Sequence, residues 1–251
     1  VLDHGLDQAA GLRQMMPRPS LGLLAFPLLA DGPARWIAQL AHALRALGRR
    51  PVVLDAARGA VASAFGLRLR HELIDLLHGE QDFDAVAQAT PDGVYVLRAD
   101  RGVEAFVSGG APAMQLLGSF ARLSHGFDEL LLAMPAGELA CLAGCEDSVP
   151  VVGLDPSPYG TMRGYALIKQ LAEGFGYRRF TCVMHDVHDE ALARREYTRL
   201  AAAAGRFLQA DVALAGWLPS SARACPAALA RVARTLLETA VVPLSFQPCA
   251  A

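Results

Sequence analysis

"LGLLAFPLLADGPARWIAQLAHALRALGRRPVVLD" (Leu21–Asp55) reads as a strand, a turn, a helix and a second strand. "LGLLAF" and "PVVLD" are near-continuous apolar runs, the pattern of strands covered on both faces. Between them Ile37, Leu40, Leu44 and Leu47 fall at three- and four-residue steps, and Gly48 supplies a C-terminal stop. In α/β proteins the first junction of such a unit commonly holds a phosphate, because N–H groups at a helix start point outward and the helix dipole favours an anion. Here that junction is "FPLLADGPA" (Phe26–Ala34). A phosphate cradle needs several glycines for close backbone approach, a lysine for charge and a Ser or Thr for Mg²⁺. This stretch offers one glycine, two prolines, no lysine and no hydroxyl.

The same alternation runs down the chain. Strand-like runs recur at 94–98, 129–134, 149–154, 180–184 and 211–217, and helical patterns cover roughly 70–78, 112–124, 161–174, 189–207 and 226–239. The expectation is an α/β fold with a mostly parallel central sheet of about seven strands flanked by helices. The first sixteen residues stand apart: "LDQAAGLRQMM" precedes "PRPS", and Pro17 and Pro19 both resist helix continuation. A short helix (1–16) on a Pro-rich link (17–20), ahead of one large domain (21–251), follows. That helix can bury Leu6, Ala9, Leu12 and Met16 only against its own domain or against a partner.

Composition narrows the function. Of 251 residues 53% are hydrophobic and 19% charged, enough for a sizeable core, and Lys+Arg 23 against Asp+Glu 25 gives a net charge of −2. There is no overall basic field of the kind that marks nucleic-acid binders. No apolar run is long enough to span a membrane, and the start lacks a signal-peptide pattern, so a cytoplasmic protein is expected. Five scattered cysteines suit reduced thiols, and Cys141 with Cys145 lacks a second ligand pair for zinc, so no metal site is expected. "HDVHDE" (185–190) is read as a polar strand-end loop and helix cap rather than a two-histidine metal site. "SHG" (124–126) is read as a helix end, "LDPSPYGTM" (154–162) as a turn before a helix, and the stretch carrying Leu229, Val232, Leu236 and Ala240 as a last helix packed on the sheet rather than a membrane-surface helix.

"DQAAGLR" (7–13) resembles the N-terminal DQAxxLR motif of FlhG (FleN), the MinD-like ATPase that sets flagellar number in polarly flagellated bacteria. "AHALRALGRRPVVLDA" (41–56) is similar to that family's helix, turn and "LLLDA" strand, "HELIDLLHGE" (71–80) to its "TLADVLAGE", "FDELLLAMPAGE" (127–138) to its "YDYVLIDTPAG" and "GYALIKQLA" (164–172) to its "DAYALIKLL". The matches keep their order over roughly 210 residues, up to Pro219. With the family's "GKGGVGKT" laid on Pro27–Ala34, only Gly32 remains of its glycines, both lysine positions become Leu28 and Pro33, and the Mg²⁺-binding hydroxyl becomes Ala34. Asp55 survives, the next switch carboxylate is Ala57, the Asp of "IDTPAG" is Ala133, and the base-contacting Asn is His185.

The resemblance therefore implies a pseudo-ATPase, with ATP and Mg²⁺ binding lost. Phosphoryl transfer works through positioning and charge neutralisation, and the groups that do both are replaced together. It also implies a partner. In the family the DQAxxLR helix docks on FlhF, a signal-recognition-particle-type GTPase, and stimulates GTP hydrolysis; Asp7, Gln8, Leu12 and Arg13 match that motif. The expected protein is a regulator of flagellar number and placement, a monomer or a nucleotide-independent dimer. It would associate weakly if at all with membrane and be brought to the cell pole or inner membrane face by its partner. The rival readings are an active MinD-like ATPase with an unconventional nucleotide site, and a scaffold that binds a transcription factor or a polar protein.

Overall fold

A computed structural model describes residues 21–29, 32–109, 126–144, 148–220 and 225–243. Residues 1–20, with Asp7, Gln8, Leu12 and Arg13, lie outside the described residues, as do the helical stretch expected at 112–124 and Cys145.

Each apolar run becomes a strand. These are β1 (Gly22–Leu28), β2 (Pro51–Asp55), β4 (Tyr95–Arg98), β5 (Glu129–Pro135), β6 (Val151–Leu154), β7 (Arg179–Val187) and β8 (Asp211–Pro219), joined by two-residue strands β3 (Gln88–Ala89) and β9 (Val242–Pro243). The hydrogen-bonded order is β3-β4-β2-β5-β1-β9 in a six-stranded sheet and β6-β7-β8 in a three-stranded one. The expected α/β fold with a mostly parallel central sheet is present, its main sheet having six strands where about seven were expected. β6 runs beside β1, but no ladder bonds join them among the described residues. All long pairs are parallel; only β3 and β9 run antiparallel to their neighbours.

The helices supply the two covering layers that a parallel sheet requires. α1 (Arg35–Ala46), α2 (Ala60–Ala64) and α9 (Pro226–Thr239) share one core with Phe26, Val53, Leu131 and Val183. α3 (Leu73–Leu77), α4 (Phe83–Val86), α5 (Asp100–Gly109) and α6 (Ala136–Ala143) cover the opposite face over Leu54, Leu97, Leu130 and Leu132. α7 (Pro158–Phe175) and α8 (Glu190–Leu208) pack on the three-stranded sheet against Phe180, Cys182 and Met184.

Local chemistry explains the boundaries. α1 ends as read, with Leu47 as C-cap and Gly48 at φ +84°. α7 starts earlier than expected, because Pro158 sits in its first turn and the Ser157 hydroxyl accepts from the Gly160 N–H at 2.9 Å. Asp189 caps α8, accepting from the Ala191 N–H at 2.8 Å. α9 buries Val232, Ala233 and Leu236, with its C-cap Ala240 buried as well, and it packs against β8 and α1, so the last helix packs on the sheet. No helix among the described residues is long and apolar enough to cross a membrane.

Candidate functional site

The turn between β1 and α1 lies at the C-terminal edge of the parallel sheet, where open α/β folds place their ligands. β1 runs through Pro27 to Leu28, paired with Met134 and Pro135 of β5. The Gly32 N–H is turned back onto the Leu29 carbonyl at 2.8 Å, and Pro27 and Pro33 have no N–H to offer. Ala34 is the N-cap of α1 and supplies no side-chain bond; the helix has no acidic residue in its first turn.

Below the turn the space is filled by an indole. Trp36, two residues into α1, is 3% exposed. Its ring meets Phe26 edge-on at 5.5 Å and stacks parallel to His185 at 5.9 Å, with an interplanar angle of 5°. His185 is itself 3% exposed and lies within β7, with Nδ1 2.9 Å from Asp186 Oδ2. It is a buried strand residue, not part of a polar loop as its sequence neighbours suggest. Glycine makes this packing possible: a Cβ on Gly153 would stand 2.4 Å from the indole, one on Gly160 2.3 Å from the Asp155 carboxylate and one on Gly164 2.6 Å from Leu154. The cavity left among Leu28, Gly32, Pro33, Trp36 and Arg163 is about 50 Å³. Pockets for small molecules run roughly 300–1,000 Å³.

A second cavity, of about 250 Å³, opens beside Leu28 and Leu29 and is lined by Ala57, Arg58, Asp100, Glu104 and Glu138. Burial raises the Glu138 carboxyl above its ordinary value, and the fields of Asp100 and Glu104 push it further the same way. Arg58 takes a left-handed conformation, φ +55°, and its N–H donates to Asp100 Oδ1 at 2.6 Å. Arg98 also pairs with Asp100 at 3.3 Å, so three carboxylates stand against two arginines.

Asp55 does not face solvent or either cavity. It is fully buried, and its carboxylate accepts from the N–H groups of Ala57 at 3.0 Å and Ala62 at 2.7 Å, which ties the β2 end to α2. Burial raises its carboxyl despite those bonds. Its register partner across the sheet is Ala133, whose carbonyl accepts from the Ala56 N–H at 2.9 Å. The described residues of the turn include no lysine and no hydroxyl, and the neighbouring cavity is lined by the carboxylates of Asp100, Glu104 and Glu138. Among the described residues no group of three His, Cys, Asp or Glu is arranged to hold a metal.

No protein-family model and no curated protein matches the chain. Solved structures do. A chain of the MinC:MinD cell division protein complex of Aquifex aeolicus superposes with a TM-score of 0.62 at 17% identity, covering 89% of this chain and 98% of that one. The fold is MinD-like. Cobyrinic acid a,c-diamide synthase of Mycobacterium smegmatis, with bound ADP and magnesium, gives 0.62 at 20% identity over 86% and 94% of the two chains. The septum site-determining protein MinD of Pyrococcus horikoshii, complexed with Mg-ADP, gives 0.54 at 14% over 85% and 95%.

Within that MinD-like frame the structure gathers Pro27, Leu28, Gly32, Pro33, Ala34 and His185 around one turn, and Ala57 beside it. It sets Asp55 and Ala133 deeper, in the strand ends. Sequence reasoning missed Trp36, the residue that occupies the middle. The signal was present: an aromatic immediately after the turn, with Gly153, Gly160 and Gly164 spaced along the strand and helix that face it.

Proposed function

We propose that the chain is an FlhG-like regulator of flagellar number and placement that acts by protein contact, a pseudo-ATPase whose N-terminal helix binds and stimulates an FlhF-type GTPase. The observation that carries the first part is the packing of Trp36 between Phe26, Gly153 and His185, directly beneath a turn without cation or hydroxyl. A triphosphate brought there would shed its hydration for apolar contacts and carboxylates, with no lysine in the turn to pair with it. An intact MinD-like frame with apolar residues at its phosphate positions is what a protein retained for its surfaces would keep.

The partner is supported by "DQAAGLR" at 7–13, ahead of this frame. Leu12 would bury against the GTPase, while Gln8 or Arg13 orders groups around its nucleotide, as activating proteins do in related systems. Recruitment to the pole would then follow from the partner. The test is GTP hydrolysis by the cognate GTPase with this protein added, comparing the wild type with Gln8→Ala/Arg13→Ala. Stimulation that needs the two side chains supports the reading. Equal rates with and without the protein overturn the activator role and leave a scaffold.

A further inference from the structure

The two helical layers on the six-stranded sheet carry opposite charge. Residues 32–71, which supply α1 and α2, hold seven arginines, and their one acid, Asp55, is fully buried; α9 adds Arg231 and Arg234 against Glu238. On the opposite layer, residues 72–109 and 126–144 hold eleven acids against Arg98 and Arg101. Part of this charge is neutralised within the molecule, where Arg49 pairs with Glu129 and Arg50 with Asp128. Arg35, Arg68 and Arg70 are exposed, and no described residue forms an ion pair with any of them. The same holds for Asp82, and Glu80 has only His78, at 3.8 Å.

Each layer also carries one half of an apolar fit. On the basic side a groove of about 290 Å³ lies on α1, between Ala64 of α2 and Leu229 of α9, with Ala38 between them and Arg35 and His42 at its edge. Two of its three apolar residues are alanines, which leaves room for an incoming side chain. The Leu67 N–H turns back onto the Ala62 carbonyl at 2.9 Å, and this holds Arg68 close to Ala64. On the acidic side Leu77, the last residue of α3, is 37% exposed, the one large apolar side chain so exposed among the described residues of that layer. The Glu80 and Gln81 N–H groups turn back onto the Asp75 carbonyl at 2.9 and 3.2 Å, so Glu80 and Asp82 are held beside it. A leucine ringed by carboxylates matches an apolar groove ringed by arginines. Because the two lie on opposite layers of one sheet, a molecule cannot fill its own groove.

We propose that copies of this chain associate head to tail, Leu77 of one copy entering the groove of Ala38, Ala64 and Leu229 on the next while Glu80 and Asp82 face Arg35 and Arg68. An apolar centre with a polar rim is the common anatomy of a specific contact, and opposite charge sets its orientation and suppresses wrong partners. The two surfaces differ, so the contact is heterologous. Each pair keeps one free leucine and one free groove, and the assembly grows past two copies. Head-to-tail association uses neither the turn at Pro27–Ala34 nor the N-terminal helix, and it holds whether or not the chain stimulates a GTPase.

The test is sedimentation velocity on the full chain, for the wild type, Leu77→Asn and Arg35→Glu/Arg68→Glu, and for an equimolar mixture of the two variants. All three positions are exposed, so both variants keep the core. Asparagine has much of the shape of leucine but would set an unpaired amide against the apolar groove. The wild type should sediment as a monomer at low micromolar concentration and pass the dimer mass as concentration rises. It should fall back towards monomer at about 1 M salt, where the screening length is about 3 Å. Each variant alone should stay monomeric. Their mixture should form a one-to-one dimer and nothing larger, because it joins one intact leucine to one intact groove and leaves no second pair. A wild type that is monomeric throughout overturns the proposal, and so does one that stops at two copies. Variants that assemble as the wild type does, or a mixture that stays monomeric, overturn the pairing of these two surfaces.

Discussion

The Trp36 indole fills the space beside Gly153: a Cβ on Gly153 would stand 2.4 Å from the ring. Gly153→Ala is expected to cost about 1–3 kcal/mol for an overpacked core, read as a drop in urea midpoint. Trp36→Ala should cost about 3–5 kcal/mol through the cavity it leaves. Because the two share one space, the Gly153→Ala penalty should shrink when Trp36 is already Ala, and a double-mutant cycle measures that coupling. Additive effects would mean the contact is not formed.

Asp55 should behave as a structural residue. Its carboxylate satisfies the Ala57 and Ala62 N–H groups inside the protein, so Asp55→Ala strands two buried donors. The expected loss is about 2–4 kcal/mol, from roughly 1–2 kcal/mol per donor, read as a drop in urea midpoint. Any folded fraction should keep its partner activity unchanged.

Glu129 makes stability depend on pH. It is fully buried at the start of β5 and bonded by Arg49 Nε at 2.6 Å, with Oε2 left without a partner among the described residues. Burial raises its carboxyl above the ordinary 4.5, and the arginine only partly opposes this. A raised carboxyl means the folded state holds the proton more tightly than the unfolded chain does. Its stabilising contribution is full below about 4.5 and is lost as pH rises through the folded-state value. The urea midpoint of the wild type minus that of Glu129→Gln should therefore be largest in acid and fall towards neutrality. A difference that grows towards neutral pH would contradict the assignment.

Much of the fold was legible because parallel strands covered on both faces are written as apolar runs. "PVVLD" became β2 with its five residues buried, and Pro226–Thr239 formed the last helix within the expected span. Strand ends were harder. β1 passes through Pro27 because β9 pairs with β1 only at Gly22 and Leu23, so on that side a residue without an N–H breaks no ladder bond. β7 runs through His185 because the ring finds Trp36, a contact between residues 149 positions apart that no local pattern announces. The short helices α2, α4 and α6 went unread; five, four and eight residues carry too little periodicity.

The residues of the turn at Pro27–Ala34 were legible in the sequence, yet the volume behind them was not. That volume yields a further expectation. Pro33→Lys/Ala34→Thr introduces a lysine and a hydroxyl but leaves Trp36 and the carboxylates of Asp100, Glu104 and Glu138 in place. The double variant should still fail to bind Mg-ATP by calorimetry. Binding restored by these two changes alone would mean that the indole is no obstacle.

Binding of Mg-ATP to the wild-type protein tests the central claim most directly. A ligand that binds the folded state at a hundred times its dissociation constant adds about 2.7 kcal/mol to stability, which shows as a rise in melting temperature. The account predicts no rise with Mg-ATP, Mg-ADP or a non-hydrolysable analogue, up to millimolar concentration. A saturable rise with any of them would contradict it and return the turn at Pro27–Ala34 to the working nucleotide sites.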